Sequence, residues 1–219
     1  MPTPPITVRG LLLDMDGTLV NSDAVVARVW RGWAVEHGLD PEEVLRVAHG
    51  RQGHVTMATL LPDRPMERNI AENRVLLAAE NADTEGIVPV PGAPAFLAAL
   101  QDLPHALVTS APPDLASARM AAAGLRMPQV RITAADVSAS KPDPEGFLKG
   151  AAELGFPAGE CAVFEDSAAG IAAGLAAGMP VVGIGPRAAE HSPTVHVPDL
   201  EHVQVTPLPD GRLRLTFTD

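Results

Sequence analysis

The sequence lacks the features of several broad protein classes. Its single cysteine, Cys161, excludes an intramolecular disulfide and fits a reducing compartment. It has no apolar run of about 20 residues, so we predict no transmembrane helix. Its start lacks a basic segment followed by an apolar core, so we predict no signal peptide and a cytoplasmic location.

Clusters of lysine or arginine are also absent, and the 27 acidic residues outnumber the 16 basic ones. The resulting formal charge of −11 argues against a nucleic-acid or anionic-membrane partner. A small phosphorylated metabolite remains compatible, because one lysine and a metal can reverse the local charge. The polar composition predicts a monomer.

Apolar residues make up 46% of the 219-residue chain, which is enough for a sizeable core. Short apolar runs alternate with Ala/Leu-rich segments that end at Gly124, Gly155 and Gly178, as strands and helices of βαβ units do. We therefore predict an α/β fold with a doubly wound, parallel, Rossmann-like sheet. The predicted strands are Ile6–Leu13, His105–Thr109, Gln129–Thr133, Cys161–Glu165 and Val181–Ile184.

About 90 residues separate the first two predicted strands, far more than one crossover helix needs. Helical spacing covers Asp23–His37 and Met66–Asn81, and Asp40 followed by Pro41 is typical of a helix start. We predict that residues 21–90 form an inserted helical cap domain and that 1–20 and 91–219 form the catalytic core. The tail, Val203–Phe217, has the alternation of a hairpin.

Polar residues that could act in catalysis or binding follow four of the predicted strands, either directly or in the connection after the strand. Because the carboxyl ends of parallel strands share one edge, we expect these side chains to converge there. Each feature alone could be a turn, a helix cap or a surface residue, but their order and spacing agree. The four features are Asp14 with Asp16, Thr109 with Ser110, Lys141, and Glu165 with Asp166.

Several carboxylates gathered at one edge would make a site for a hard cation such as Mg²⁺. A dianionic phosphate could then bind, because the metal and Lys141 would offset the carboxylate charge. The Thr109 hydroxyl and nearby backbone N–H groups could hold phosphate oxygens.

At these residues the chain resembles the haloacid dehalogenase superfamily of phosphotransferases. Asp14–Thr18 matches its first motif, Thr109 the second, Lys141 the third, and Glu165 with Asp166 the fourth. The resemblance extends over nearly the whole chain and includes a helical cap between the first and second motifs.

The resemblance implies a role for each matching residue. Asp14 would attack phosphorus, and Asp16 would protonate the leaving alcohol and then activate water. Thr109 and Lys141 would hold the transferring phosphoryl group. Mg²⁺ would bind Asp14, the main-chain carbonyl of Asp16, and Asp166, with Glu165 in or near that shell. Within the motif loops, the candidate phosphate-binding residues are Gly17, Thr18 and Ser110.

A narrower resemblance links Gly150–Gly185 and the final strand, Leu213–Phe217, to glycerol-phosphate and 2-deoxyglucose-6-phosphate phosphatases of yeast. Those enzymes have His-Gly and polar residues in a cap loop, where this chain has His49–Gln52. Gly50 and Gly53 predict mobility in this segment, and polar donors on a mobile loop suit hydroxyl or phosphate recognition. The candidate substrate-binding residues are His49, Gly50, Arg51 and His54, although for His54 a solvated helix connection is an equal alternative.

The sequence thus predicts a Mg²⁺-dependent phosphomonoesterase that acts on a small sugar or polyol phosphate through an aspartyl-phosphate intermediate. One alternative is a phosphosugar mutase of the β-phosphoglucomutase type, but those enzymes carry a histidine where this chain has Val26. A further alternative is a non-catalytic phosphate-binding regulatory module. Asp16 argues against dehalogenation, and the absence of lysine from residues 21–90 argues against phosphonate cleavage.

Overall fold

The central strand of the fold has apolar side chains pointing to both faces, and the chain covers both. In the computed structural model, which describes residues 3–218, Leu11, Leu12 and Leu13 are fully buried. Leu11 and Leu13 pack on one face, and Leu12 packs on the other. Met1, Pro2 and Asp219, which the predicted core includes, lie outside the described residues.

Strands and helices alternate through most of the chain. The strands are β1 (Ile6–Val8), β2 (Gly10–Leu13), β3 (Val20–Asn21), β4 (Val88–Pro89), β5 (His105–Val108), β6 (Val130–Ile132), β7 (Cys161–Glu165), β8 (Val181–Ile184), β9 (Val195–Val197), β10 (Val203–Pro207) and β11 (Leu213–Phe217). The α-helices are α1 (Asp23–Glu36), α2 (Pro41–Ala48), α3 (Gly53–Leu60), α4 (Met66–Ala82), α5 (Ala93–Ala99), α6 (Pro113–Ala122), α7 (Glu145–Glu153), α8 (Ala168–Ala176) and α9 (Gly185–Ala188).

Six parallel strands form the main sheet in the order β6-β5-β2-β7-β8-β9. Helices α5 and α6 contribute to the apolar cluster on one face, whereas α7 and α8 contribute to the cluster on the other. The predicted doubly wound α/β fold is therefore confirmed. Strand β9, at the sheet edge, was not predicted.

The predicted strand Ile6–Leu13 is wrong as a single element. The chain bends at Arg9, whose backbone N–H donates to the Glu160 carbonyl, and only β2 joins the parallel sheet. Strand β1 pairs antiparallel with β11, which also pairs with β10. The predicted tail hairpin is thus confirmed, and it extends a separate three-stranded sheet built on β1.

Four helices, α1 to α4, lie between β3 and β4, which pair with each other antiparallel. They share an apolar cluster of their own that includes Trp30, Trp33, Val44, Met57 and Leu76. The predicted helix start at Asp40 is confirmed, because its carboxylate accepts a hydrogen bond from the Glu42 N–H at 2.9 Å. None of the helices formed by residues 3–218 combines the length and apolarity that crossing a bilayer requires.

Candidate active site

The predicted strand-end residues lie together at the carboxyl edge of the main sheet. Asp14 follows β2, and its N–H donates to the Phe164 carbonyl of β7 at 3.0 Å. Asp166 comes directly after β7, which ends at Glu165. Lys141 reaches the same point from the connection between β6 and α7. The parallel topology therefore joins residues that are far apart in the sequence.

Lys141 is the central cation of this group. Its ammonium donates to Asp14 Oδ1 at 2.6 Å, to Glu165 Oε1 at 2.8 Å and to the Val108 carbonyl at 3.2 Å. Burial alone would lower the pKa of Lys141, but the two carboxylates outweigh that effect and raise it. The side chain is therefore charged and held beside Asp14.

Asp14, Glu165 and Asp166 each offer a carboxylate oxygen, and these oxygens lie within 4.8 Å of one another. Burial, together with the neighbouring Glu165, raises the pKa of Asp166 to about 7 and raises that of Asp14. A buried set of oxygen donors with excess negative charge fits a hard divalent cation. The cluster can therefore hold a divalent metal.

Within this cluster, both oxygens of Glu165 already have partners. Oε1 accepts from Lys141, whereas Oε2 accepts from the backbone N–H groups of Asp166 and Ser167 and from the Ser167 hydroxyl, at 2.8–2.9 Å. Gly170 makes room for this carboxylate, because a Cβ there would lie 1.7 Å from Oε1. These contacts suit a residue that orients the others more than a direct ligand.

Asp16 points its carboxylate away from this cluster. Oδ1 accepts from the Ser22 hydroxyl at 2.6 Å, and Oδ2 accepts from Arg119 at 2.8 Å. Gly17 adopts a φ of +87°, and a Cβ there would lie 2.2 Å from an Asp166 oxygen, so only glycine fits this turn. The first motif thus sends its two aspartates in different directions.

The cleft between the sheet edge and the inserted helices brings most of the predicted site together. It has a volume of about 700 Å³ including its mouth. Predicted residues at its surface are Asp14, Asp16, His49, Gly50, Arg51, Thr109 and Ser110. Lys141 lies in an adjoining depression that also contacts Thr109 and Ser110.

Of the predicted residues that do not line this cleft, Lys141, Glu165 and Asp166 lie in the cluster beside it, and Gly17 packs on Asp166. Thr18 and His54 are the two that remain. Thr18 is fully buried, and its hydroxyl has no hydrogen-bond partner among residues 3–218. His54 lies in the first turn of α3, so the predicted mobile loop is wrong at Gly53 and His54. Burial lowers the pKa of His54.

Segment 49–52 contacts three connections of the core. The Ser110 hydroxyl donates to the Gly50 carbonyl at 2.9 Å, and the Gln52 N–H donates to the Ser140 hydroxyl at 3.0 Å. Gly50 also packs so closely on Ser167 that a Cβ would lie 2.0 Å from its Oγ. The segment therefore covers the site, and the Ser110 side chain holds it there.

Sequence reasoning missed two arginines. Arg119 on α6 bridges Asp16 and the buried Glu80 of α4, and Arg187 bridges Asp166 at 2.6 Å and Asp23 at 2.8 Å. Each joins the core to the inserted helices. Arg187 comes three residues after β8, so the strand-end position could have indicated it. Arg119 lies inside α6, where no local pattern distinguishes it from a surface arginine.

The sequence profile of the haloacid dehalogenase-like hydrolases matches residues 8–178. Hexitol phosphatase A of Escherichia coli is 41% identical over 93% of this chain and 96% of its own length. Glycerol-1-phosphate phosphohydrolase 2 of Saccharomyces cerevisiae is 35% identical over 82% of this chain and 75% of its own length. 2-Deoxyglucose-6-phosphate phosphatase 2 of the same yeast is 32% identical over 83% of this chain and 81% of its own length. The predicted resemblance to these phosphatases is confirmed.

The fold is also similar to that of a β-phosphoglucomutase from Clostridium difficile, with a TM-score of 0.78, 18% identity, and coverage of 90% of this chain and 93% of that one. This similarity concerns the fold, whereas the match to the hydrolase profile spans the motif residues from Asp14 to Asp166. The chain belongs to the haloacid dehalogenase-like hydrolase family.

Proposed function

We propose that the protein is a Mg²⁺-dependent phosphomonoester hydrolase that acts on a small sugar or polyol phosphate. The observation that carries this proposal is the contact of Asp14 with Lys141 beside the buried cluster of Asp14, Glu165 and Asp166. In this proposal Asp14 is the nucleophile, and it lies next to a fixed cation and to oxygens that could bind a metal. Relatives named as hexitol, glycerol-1-phosphate and 2-deoxyglucose-6-phosphate phosphatases support the substrate class.

The reaction has two displacement steps. First, a carboxylate oxygen of Asp14 bonds to phosphorus while the bond to the alcohol oxygen breaks, and that oxygen keeps the electron pair and takes a proton from Asp16. Then water bonds to phosphorus and gives a proton to Asp16, while the bond to Asp14 breaks and returns the carboxylate. The sum is hydrolysis of the ester with both aspartates regenerated.

The other residues bind and orient. Thr109, Lys141 and the backbone N–H of Ser110 would hold phosphoryl oxygens, with Gly17 keeping the first-motif turn. Asp14, Asp166 and the main-chain carbonyl of Asp16 would hold Mg²⁺, with Glu165 orienting Lys141. When bound, the metal would supply positive charge that offsets the charge of the transferring phosphoryl group.

The leaving group would lie between the core, 1–20 with 91–219, and the cap, 21–90. His49, Gly50 and Arg51 line that space. Arg51 makes no ion pair among residues 3–218, so its charge is available to a substrate. The net charge of −11 favours a small metabolite over nucleic acid or an anionic membrane as partner. The cytoplasmic location and the monomeric state stay predictions from composition.

A phosphosugar mutase is the second candidate, because the fold is similar to that of a β-phosphoglucomutase. Val26 lines the cleft at the position where those enzymes carry a histidine, which favours hydrolysis. Incubation with β-glucose 1-phosphate separates the two: a hydrolase releases free phosphate, and a mutase forms glucose 6-phosphate. A non-catalytic module predicts binding without turnover.

Replacement of the nucleophile tests the proposal. Asp14→Asn should lower kcat by at least about 10⁴-fold on every phosphate ester, because it removes the attacking oxygen charge. The melting temperature should stay close to that of the wild type, since the change removes one of three crowded carboxylate charges. The measurement is phosphate release from a panel of polyol and sugar phosphates with and without Mg²⁺, with Asp102→Asn, on the exposed surface, as control. Activity of Asp14→Asn close to that of this control would contradict the proposal.

A further inference from the structure

We infer that Arg119 is a positioning residue that holds the carboxylate of Asp16 toward the leaving group, with Glu80 of α4 fixing Arg119 in turn. The inference rests on the proposed hydrolase function and assigns how its acid/base is oriented. Its basis is a chain of contacts that runs from Asp16, through Arg119 on α6 of the core, to Glu80 on a helix of the insertion.

The guanidinium of Arg119 is held at two points. Nη1 donates to Asp16 Oδ2 at 2.8 Å, and Nη2 donates to Glu80 Oε2 at 2.8 Å. The Arg119 side chain is 5% exposed, and that of Glu80 is 8% exposed. Glu80 also accepts from the Trp30 indole N–H at 3.2 Å, so it is anchored to α1 as well. The planar group therefore has one available orientation.

The charges of this chain of contacts also favour a functional role. Burial alone would lower the pKa of Arg119, but Asp16 and Glu80 outweigh that effect and raise it, so the group stays charged. Apolar side chains would fill the same volume without a cost of desolvation. The pair of Arg119 and Glu80 is therefore not needed for packing, and its contact with Asp16 fixes that carboxylate at the surface of the cleft.

The two carboxylate oxygens of Asp16 have partners of different kinds. A guanidinium has donors and no acceptor, so Oδ2 must accept a hydrogen bond in both protonation states. The Ser22 hydroxyl, 2.6 Å from Oδ1, can donate to the carboxylate or accept from the acid. Arg119 therefore holds Oδ2 whether or not Asp16 carries a proton, and only the hydrogen bond at Oδ1 changes direction.

The dependence of kcat/KM on leaving-group acidity tests this role. In a series of substituted phenyl phosphates of nearly equal size, a poor leaving group needs the proton from Asp16, whereas p-nitrophenolate leaves without it. Arg119→Met should lower kcat/KM for phenyl phosphate by about 100-fold. It should lower kcat/KM for p-nitrophenyl phosphate much less, so that the dependence becomes steeper. Arg119→Lys should restore part of the loss.

Arg126→Met, on the exposed surface, is the matched control and should leave both values unchanged. If Arg119→Met does not fold, Arg119→Met with Glu80→Gln removes the unpaired buried charge and gives the same readout. An equal loss on both esters, with unchanged leaving-group dependence, would show that Arg119 only stabilises the fold. Wild-type protein that hydrolyses no ester with Mg²⁺ would instead overturn the proposed function and, with it, this role of Arg119.

Discussion

Lys141 is one of only two lysines in the chain, and the fold buries it against two carboxylates. Its side chain is 6% exposed, as is that of Asp14, and that of Glu165 is fully buried. The second lysine, Lys149, is 46% exposed and pairs with Glu145 one helical turn away. The two lysines therefore occupy opposite environments, so Lys149 is a matched control for substitutions of Lys141.

Lys141→Met should destabilise the protein by about 3–5 kcal/mol, because it leaves Asp14 and Glu165 buried without a cation. Lys149→Met should cost less than about 1 kcal/mol, since exposed ion pairs contribute little. Urea unfolding at neutral pH measures both. Similar small changes in the two variants would mean that the carboxylate cluster does not depend on Lys141 for its stability.

The residues that could be predicted from sequence are those whose placement follows from the sheet alone. Asp14, Thr109 and Asp166 stand just after strands, and parallel strands put all their carboxyl ends at one edge. Arg119 and Glu80 could not be predicted in this way. They meet where α6 packs on α4, and the periodicity of a helix shows which of its faces is buried but not which other helix covers that face.

At the scale of elements, hydrophobic pattern identifies a strand but not its partner. Ile6–Val8 and Gly10–Leu13 form one apolar run, yet β1 pairs with β11 near the other end of the chain, and β2 pairs with β5 and β7. The bend at Arg9 comes directly before Gly10, which packs tightly: a Cβ there would be 3.0 Å from Leu154 and 3.2 Å from the Cys161 sulfur. Only tertiary packing reveals that constraint.

Segment 49–52 connects α2 to α3 and depends on one glycine. Gly50 has a φ of +77°, and any Cβ would collide with Ser167, in the loop that follows Asp166. Gly50→Ala should therefore displace the segment from the core and lower kcat/KM by about 100-fold, as small misplacements in active sites do. Steady-state kinetics on the preferred polyol phosphate measures this loss.

Gly38→Ala separates the collision from backbone strain. Gly38 has a similar φ of +66°, but nothing lies within 4 Å of a Cβ there. This variant should lose about 1 kcal/mol of stability, the cost of a left-handed conformation, and keep its activity. If Gly50→Ala and Gly38→Ala lose activity equally, catalysis does not depend on the contact of segment 49–52 with Ser167.

At the scale of the whole molecule, carboxylates are concentrated at the proposed phosphate site. The chain carries a net charge of −11, and the cleft between sheet and insertion is lined by Asp14, Asp16, Asp23 and Glu80. Arg119 and Arg51 are the arginines among its lining residues. Lys141 alone does not balance the adjoining cluster. We therefore expect that a dianion needs a bound metal cation to enter this site.

The same reasoning predicts that Mg²⁺ stabilises the folded chain, because the cluster of Asp14, Glu165 and Asp166 exists only when β2 and β7 are paired. At a concentration one hundred times its dissociation constant, the ion should add about 2.7 kcal/mol to the free energy of unfolding. Thermal unfolding at fixed ionic strength, with Na⁺ in place of Mg²⁺ as control, measures the shift. Asp166→Asn should lose most of it, whereas Asp102→Asn should keep it. An equal shift in both variants would place the metal outside this cluster.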